Sequence, residues 1–230
     1  MSEHLTLEHF QRQREQGQLT LALVGMSNVG KSYWAHRLAD TGFQVYDCDA
    51  AIETELRREL SSHIESGIGG VARWMGQPYE THYAAAQAHY LSLEAAGLEH
   101  ALSELETMSP HNYVLDTTGS VVHLPEPLLE RMQDLTTVVY LRPRDGAIQK
   151  MYNEYFKLPK PVVWGDVYKQ NPGEDGELST KRLYPSLLAH RTKKYKQIAT
   201  VTLPLEDLKH IDDGARFLDA IERNLNTSRE

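Results

Sequence analysis

The sequence predicts a three-layer α/β/α fold around a five-stranded parallel sheet, with a lid segment over one edge. Three observations lead there. An apolar run of strand length (Leu19, Leu21, Ala22, Leu23, Val24) stops at Gly25, and the pattern G-x-x-x-x-G-K-S closes at Gly30-Lys31-Ser32 with helical spacing behind it. Further strand-like runs alternate with helical stretches down the chain, which makes a parallel sheet covered on both faces. No repeat, low-complexity tract or linker interrupts the 230 residues, a length that suits one core of this kind.

Residues 1–18 read as an N-terminal extension, a short amphipathic helix with Leu5, Leu7 and Phe10 on its apolar side. Residues 19–230 read as a single domain. After the first strand and its helix, Gln44-Val45-Tyr46 forms a second strand, and Asp47-Cys48-Asp49 opens a stretch that is helical in pattern from Ala50 to Leu60, with a helical region over 56–108. Glycines 67, 69 and 70 break it, Arg73-Trp74-Met75 closes a small helix, and an alanine-rich helix runs from Glu80 to Met108. His111–Leu115 is the third strand, Pro125 and Pro127 introduce a short helix, and Thr137–Leu141 is the fourth strand. Asp145–Phe156 is helical. Lys157–Arg182 then holds Pro159, Pro161, Pro172 and three glycines without a sustained period, which marks a lid over 157–182. Pro185 starts a helix through Ala199, Thr200–Leu203 is the fifth strand and Asp212–Asn226 the closing helix. Right-handed crossovers place the loops after the strands along one rim.

The net charge of −8 disfavours nucleic acid and anionic membranes as partners, since both select basic surfaces. A single cysteine, Cys48, excludes an intramolecular disulfide and fits a reducing compartment. No apolar stretch approaches a membrane span, and the first residues are too polar for a secretory signal, so a cytoplasmic location is expected.

The chemistry concentrates on that rim. In a strand–loop–helix context, residues Gly25, Met26, Ser27, Asn28, Val29, Gly30, Lys31, Ser32 and Tyr33 form a phosphate-binding loop. Its backbone N–H groups and the helix N-terminus converge on phosphate oxygens. Lys31 brings a mobile positive charge, and the Ser32 hydroxyl can ligate Mg²⁺. Glycine-rich turns without ligands exist, but the flanking elements favour the nucleotide reading. Tyr113-Val114-Leu115-Asp116, an apolar strand ending in a carboxylate, supplies a metal-side residue or, alternatively, a turn cap. Asp47 and Asp49 read either as a capping pair or as carboxylates that orient an acceptor hydroxyl and serve magnesium or proton removal. The eleven histidines form no metal-binding pattern. Cys48 lies between two acids that disfavour its thiolate, and Trp34, Trp74 and Trp164 read as packing or lid residues.

In this order GMSNVGKS, GFQVYDCDAAIE, VLDTTGSVV, VVYL, KPVV and LLAHRTKKYKQIATVTL resemble the shikimate kinase family of P-loop small-molecule kinases, over most of residues 19–203. The resemblance implies a three-layer P-loop kinase fold, with the helical region 56–108 on the substrate side. It implies ATP and Mg²⁺ as cofactors, and a small hydroxyl acceptor that is carboxylated or a polyol. It places Asp49 on the substrate, Asp47 as base or metal support, and Ser32, Asp47 and Asp116 around the metal. Lys31 and Lys160 fall on the phosphate-handling positions, and Arg191 on the arginine that binds the substrate carboxylate. The sequence departs from the family at the acceptor. Thr118-Gly119-Ser120 replaces a glycine triplet, Lys160-Pro161-Val162-Val163 replaces Arg-Pro-Leu-Leu, and Leu56–Ser66 and the lid are longer than usual. A second carboxylate-binding arginine is missing near Glu80-Thr81-His82, and Arg73 is the nearest substitute. The expected function is ATP-dependent phosphorylation of a hydroxyl on a small polar metabolite, shikimate or a related acceptor. The alternatives are a nucleoside or nucleotide kinase and an ATP-binding regulatory protein with a decayed acceptor site.

Overall fold

The structure is a computed structural model and describes residues 6–59, 65–144, 146–157 and 160–227. Leu5 of the expected apolar face, residues 60–64 of the expected long 56–66 stretch, Asp145 and Pro159 lie outside the described residues.

Five parallel strands form one sheet in the order β2-β3-β1-β4-β5: β1 Thr20–Val24, β2 Gln44–Asp47, β3 Tyr113–Asp116, β4 Thr137–Arg142 and β5 Val201–Pro204. Strands β1, β3 and β4 are buried almost throughout, as their continuous apolar runs require of a sheet covered on both faces. The chain moves outward to β2, returns to β3 and then crosses to the far side of β1. The crevice at that reversal opens at the carboxyl end of β1, where the phosphate-binding loop begins.

The helices are α1 Leu7–Glu15, α2 Lys31–Ala39, α3 Cys48–Glu59, α4 Ile68–Met75, α5 Tyr83–Thr107, α6 Glu126–Leu135, α7 Ala147–Lys157, α8 Gly176–Ile198 and α9 Gly214–Thr227. The N-terminal extension is docked rather than free. Thr6 caps α1, Phe10 is buried, and Arg14 pairs with Asp219 (2.7 Å) and Glu222 (2.9 Å) of α9. Trp34 of α2 stacks on Phe217 of α9 with ring centroids 4.4 Å apart, fastening the helix behind the phosphate-binding loop.

Two expectations about the second half are corrected. Helix α8 does not start at Pro185 but nine residues earlier, with Pro185 inside it. Asp175 provides the start by accepting a hydrogen bond from the Leu178 N–H (3.0 Å), so the first turns form ahead of the proline. The lid shrinks accordingly, because Lys157 ends α7 and Gly176 opens α8. Between them, Gly165–Val167 is a 3₁₀ turn, and Val163 and Trp164 are core residues, each 1% exposed. No helix among the described residues is long and apolar enough to cross a membrane.

Candidate active site

The loop after β1 needs its glycines. At Gly25, φ is +149° and a Cβ would lie 3.0 Å from the Leu141 carbonyl oxygen and 3.1 Å from the Val29 side chain. Gly30, at φ +95°, turns the chain into α2 and leaves the first-turn N–H groups of that helix facing the loop. Asn28 also adopts a left-handed conformation, at φ +66°, which asparagine tolerates better than most residues. Lys31 opens α2 with its side chain tucked inward, and its ammonium donates to the Met26 carbonyl at 3.4 Å. Burial pulls its pKa below the usual lysine value, opposed by the charges of Asp116 and Asp49.

Parallel pairing of β2 with β3 sets Asp47 opposite Asp116. Asp116 is buried, which pushes its pKa up, while a hydrogen bond from Ser32 and the charge of Lys31 hold it back. Its Oδ1 is buried without a hydrogen-bond partner, so a lone pair is left for an incoming cation or its water. Asp49 is pushed up to about 6 by burial, against the pull of Lys31 and with help from Asp116 and Asp47. Asp47 is more exposed, and its Oδ1 accepts from the Ala50 N–H (2.9 Å), so it caps α3. Among the described residues no group of three or more His, Cys, Asp or Glu is arranged to hold a metal. Ser32 and Asp116 therefore offer a partial ligand set, the kind that magnesium completes with water and phosphate oxygens.

Lys160 lies across the loop and donates to Asn28 Oδ1 at 2.7 Å. The residues after it are strapped down: the Tyr83 hydroxyl donates to the Val162 carbonyl (2.7 Å), Gln87 Oε1 accepts from the N–H groups of Trp164 (2.8 Å) and Gly165 (3.1 Å), and Arg191 donates to the Val163 carbonyl (2.7 Å). Arg191 is buried, with its Nε unpartnered, and lines a small recess of ≈ 30 Å³ with Lys160 and Val162. Arg73 is not brought to the site. Its guanidinium pairs with Glu65 and is mostly exposed, so the substitute for a second site arginine is missing.

Ser27 to Ser32, Tyr33, Asp49 and Lys160 line one open cleft of ≈ 1190 Å³. Gly119 and Ser120 line one part of it with Tyr90 and Ile68, while Pro143, Leu205, Leu208 and Ile211, with the charged Arg144 and Lys209, line a partly apolar arm. Gly119 is kept small by its neighbours, since a Cβ there would sit 3.1 Å from Ser27 Oγ and 3.3 Å from Ser27 N. Thr118 and Ser120 face the other way and donate to a carboxylate that sequence reasoning missed. Glu94 of α5 accepts from Thr118 Oγ1 and, at 2.7 Å, from Ser120 Oγ. It is 3% exposed, and burial pushes its pKa up to about 7. The Tyr90 hydroxyl, one turn earlier, joins the same two hydroxyls. Both residues sit on the buried stripe Tyr83, Ala86, Tyr90, Glu94, Leu98, Ala101 of α5. An acid at that spacing in an alanine-rich helix was the available signal.

No family model matches the sequence, and no curated protein matches it. Solved structures do. The shikimate kinase from Acinetobacter baumannii, determined in complex with shikimate, is similar with a TM-score of 0.53 at 20% identity, over 94% of this chain and 98% of that one. A shikimate kinase from Bacteroides thetaiotaomicron has a TM-score of 0.53 at 14% identity, over 92% and 99% of the two chains. The chain has the three-layer P-loop kinase fold of the shikimate kinases.

Proposed function

We propose that this protein transfers the terminal phosphoryl group of ATP to a hydroxyl of a small polar metabolite, in the manner of a shikimate kinase. The observation that carries the reading is geometric. Lys31 and Asp49 line one open cleft with the phosphate-binding loop, and Asp116, level with Asp47 in the β2–β3 register, has a buried Oδ1 without a hydrogen-bond partner. Keeping a buried lysine with a buried carboxylate and a half-buried one is costly for a fold, so such clusters mark sites where their charges are used.

Backbone N–H groups of Gly25–Ser32 and the Lys31 ammonium bind the phosphates, and the apolar arm from Pro143 to Ile211 takes the base. Ser32 and Asp116, with Asp47 nearby, would hold Mg²⁺, which supplies charge neutralisation on the phosphates when bound. Asp49 lines the cleft and holds the acceptor hydroxyl. With its pKa raised to about 6 it is a better proton acceptor than an ordinary aspartate, and the base role expected of Asp47 passes to it. Asp47 has one oxygen committed to the α3 cap. Lys160 reaches the transferring phosphate when it exchanges Asn28 for a phosphate oxygen. The rate then comes from position and charge rather than a covalent intermediate.

Acceptor-dependent ADP release tests the reading, run on the wild type and on Lys31→Ala. The expected result is turnover in the wild type and a loss on the order of 10²–10³-fold in the variant, with its circular dichroism unchanged. Equal turnover in the two proteins would remove Lys31 from the mechanism. Tight ATP binding without transfer to any acceptor would leave a nucleotide-binding regulator in its place.

A further inference from the structure

We infer that Gln87 of α5 is a positioning residue for phosphoryl transfer, because its carboxamide oxygen fixes the segment from which Lys160 reaches over the phosphate-binding loop. The inference rests on the role proposed for Lys160 and adds the element that sets its reach.

Residues 160–164 belong to no helix or strand, yet Val162, Val163 and Trp164 are buried. Buried backbone groups outside regular structure need partners, and here side chains supply them. Tyr83 and Arg191 serve the carbonyls of Val162 and Val163. The N–H groups of Trp164 (2.8 Å) and Gly165 (3.1 Å) both point at Gln87 Oε1. Two donors converging on one atom identify it as the oxygen, since the amide nitrogen of a carboxamide only donates. The Tyr83 hydroxyl shares its one hydrogen between the Val162 carbonyl (2.7 Å) and this same oxygen (2.7 Å). Tyr83 and Gln87 stand four residues apart on one face of α5, so a single turn of a long helix grips four consecutive residues, 162 to 165.

The grip lies close to the working end. Only Pro161 separates Lys160 from Val162, and its ring removes much of the freedom of that link. Beyond it, the Trp164 ring packs edge-on against Tyr168 (5.6 Å between centroids) and Tyr184 (6.1 Å), which holds the far side of the segment. Lys160 projects from this fixed base to Asn28 Oδ1 and lines the cleft with Ser27 to Ser32. Gln87 lies outside the cleft lining, so it acts on the reaction through Lys160. Where position carries the rate, a shift of about 1 Å in such a group costs on the order of 10²-fold.

The test compares Gln87→Leu, which fills the space without an acceptor, with Gln87→Glu, which keeps an acceptor oxygen. Each is made with Lys160 intact and in Lys160→Met. One readout is kcat for ADP release with MgATP and a pool of polyols and polyhydroxy acids. The other is the gain in MgADP affinity on adding aluminium fluoride, which takes the place of the transferring group and needs no turnover. Gln87→Leu should lower both by about tenfold, with MgADP alone bound within about twofold of the wild type. Gln87→Glu should restore both to within about threefold of the wild type. In Lys160→Met, adding Gln87→Leu should change neither by more than about twofold, because the group it positions is already gone.

A residue that only supports the fold would give losses that multiply, so multiplied losses overturn the inference. So do full values in Gln87→Leu, equal losses in Gln87→Glu, or no aluminium fluoride gain in the wild type. If Gln87→Leu does not fold, Gln87→Asn, whose shorter side chain withdraws the same oxygen, takes its place, and failure of both to fold also overturns the inference. The underlying reading fails differently. A fluoride gain that depends on Gln87, with no ADP release by the wild type, would sink the kinase assignment and keep the positioning. Turnover indifferent to Gln87 would keep the kinase and sink the positioning.

Discussion

At the phosphate end of the cleft, one unbroken segment from Gly25 to Ser32 shapes the site with its own backbone. At the other end, Asp49, Tyr90 and Ser120 come from three distant segments, with Glu94 buried behind Ser120. A backbone cradle depends on glycines at fixed spacing, and phosphate is the same ligand in every kinase. A side-chain wall changes with single substitutions and follows whatever acceptor the protein must take. The difference explains how a chain can keep the fold of shikimate kinases at 20% identity or less while its side chains diverge.

Substitutions on the two sides can break or sharpen this contrast. The largest effect is expected from Asp49→Asn. It should lower kcat by about 10²–10⁴-fold, the range of a general base, and leave ATP affinity near the wild-type value in calorimetry. Loss of both together would make Asp49 part of the fold rather than of acceptor handling. Arg191→Ala should act mainly on stability, by about 2–4 kcal/mol in urea unfolding, because it strands the buried Val163 carbonyl and empties a packed position. A drop in activity with unchanged stability would instead return Arg191 to the acceptor site.

Glu94→Gln should stabilise the protein. The folded-state pKa of Glu94, about 7, lies above the ordinary 4.5. Between these values the folded chain holds a proton that the unfolded chain releases, so stability falls as pH rises through the window. Above pH 7 the full cost of about 3 kcal/mol is present in the wild type and absent in the variant. The gain of Glu94→Gln in urea unfolding should therefore be largest at pH 8 and fall below about 1 kcal/mol near pH 5. A gain that grows toward acid pH would contradict this account of the site. Arg73→Ala should do least, within about 0.5 kcal/mol and with no change in kcat or KM, since its ion pair with Glu65 is exposed. A rise in KM there would place Arg73 in the acceptor site after all.

The phosphate end was legible in the sequence because glycine geometry and a lysine–serine pair leave a local pattern that needs no tertiary information. The sheet was legible too, since buried parallel strands such as Val138–Leu141 are short apolar runs. Helix α8 was misread because a proline suits the first turn of a helix, and Pro185 outweighed Asp175, whose cap gives the actual start. The lid was read too long for the same reason. Its core residues Val163 and Trp164 carry no period, and only the bonds from Tyr83, Gln87 and Arg191 show them fixed. Glu94 escaped notice because its partners lie 24 and 26 residues away, and a single acid on a long helix reads as a solvated one until its face is known. Arg73 was the reverse case: near in sequence to the expected position, but turned outward to Glu65.

The most direct test of phosphoryl transfer at this cleft is to follow the phosphoryl group itself. Phosphorus NMR of the wild-type protein with MgATP and a pool of polyols and polyhydroxy acids should show a phosphomonoester resonance growing in step with ADP, and none with Lys31→Ala. Inorganic phosphate as the sole product, or the same phosphomonoester formed by Lys31→Ala, would contradict the account.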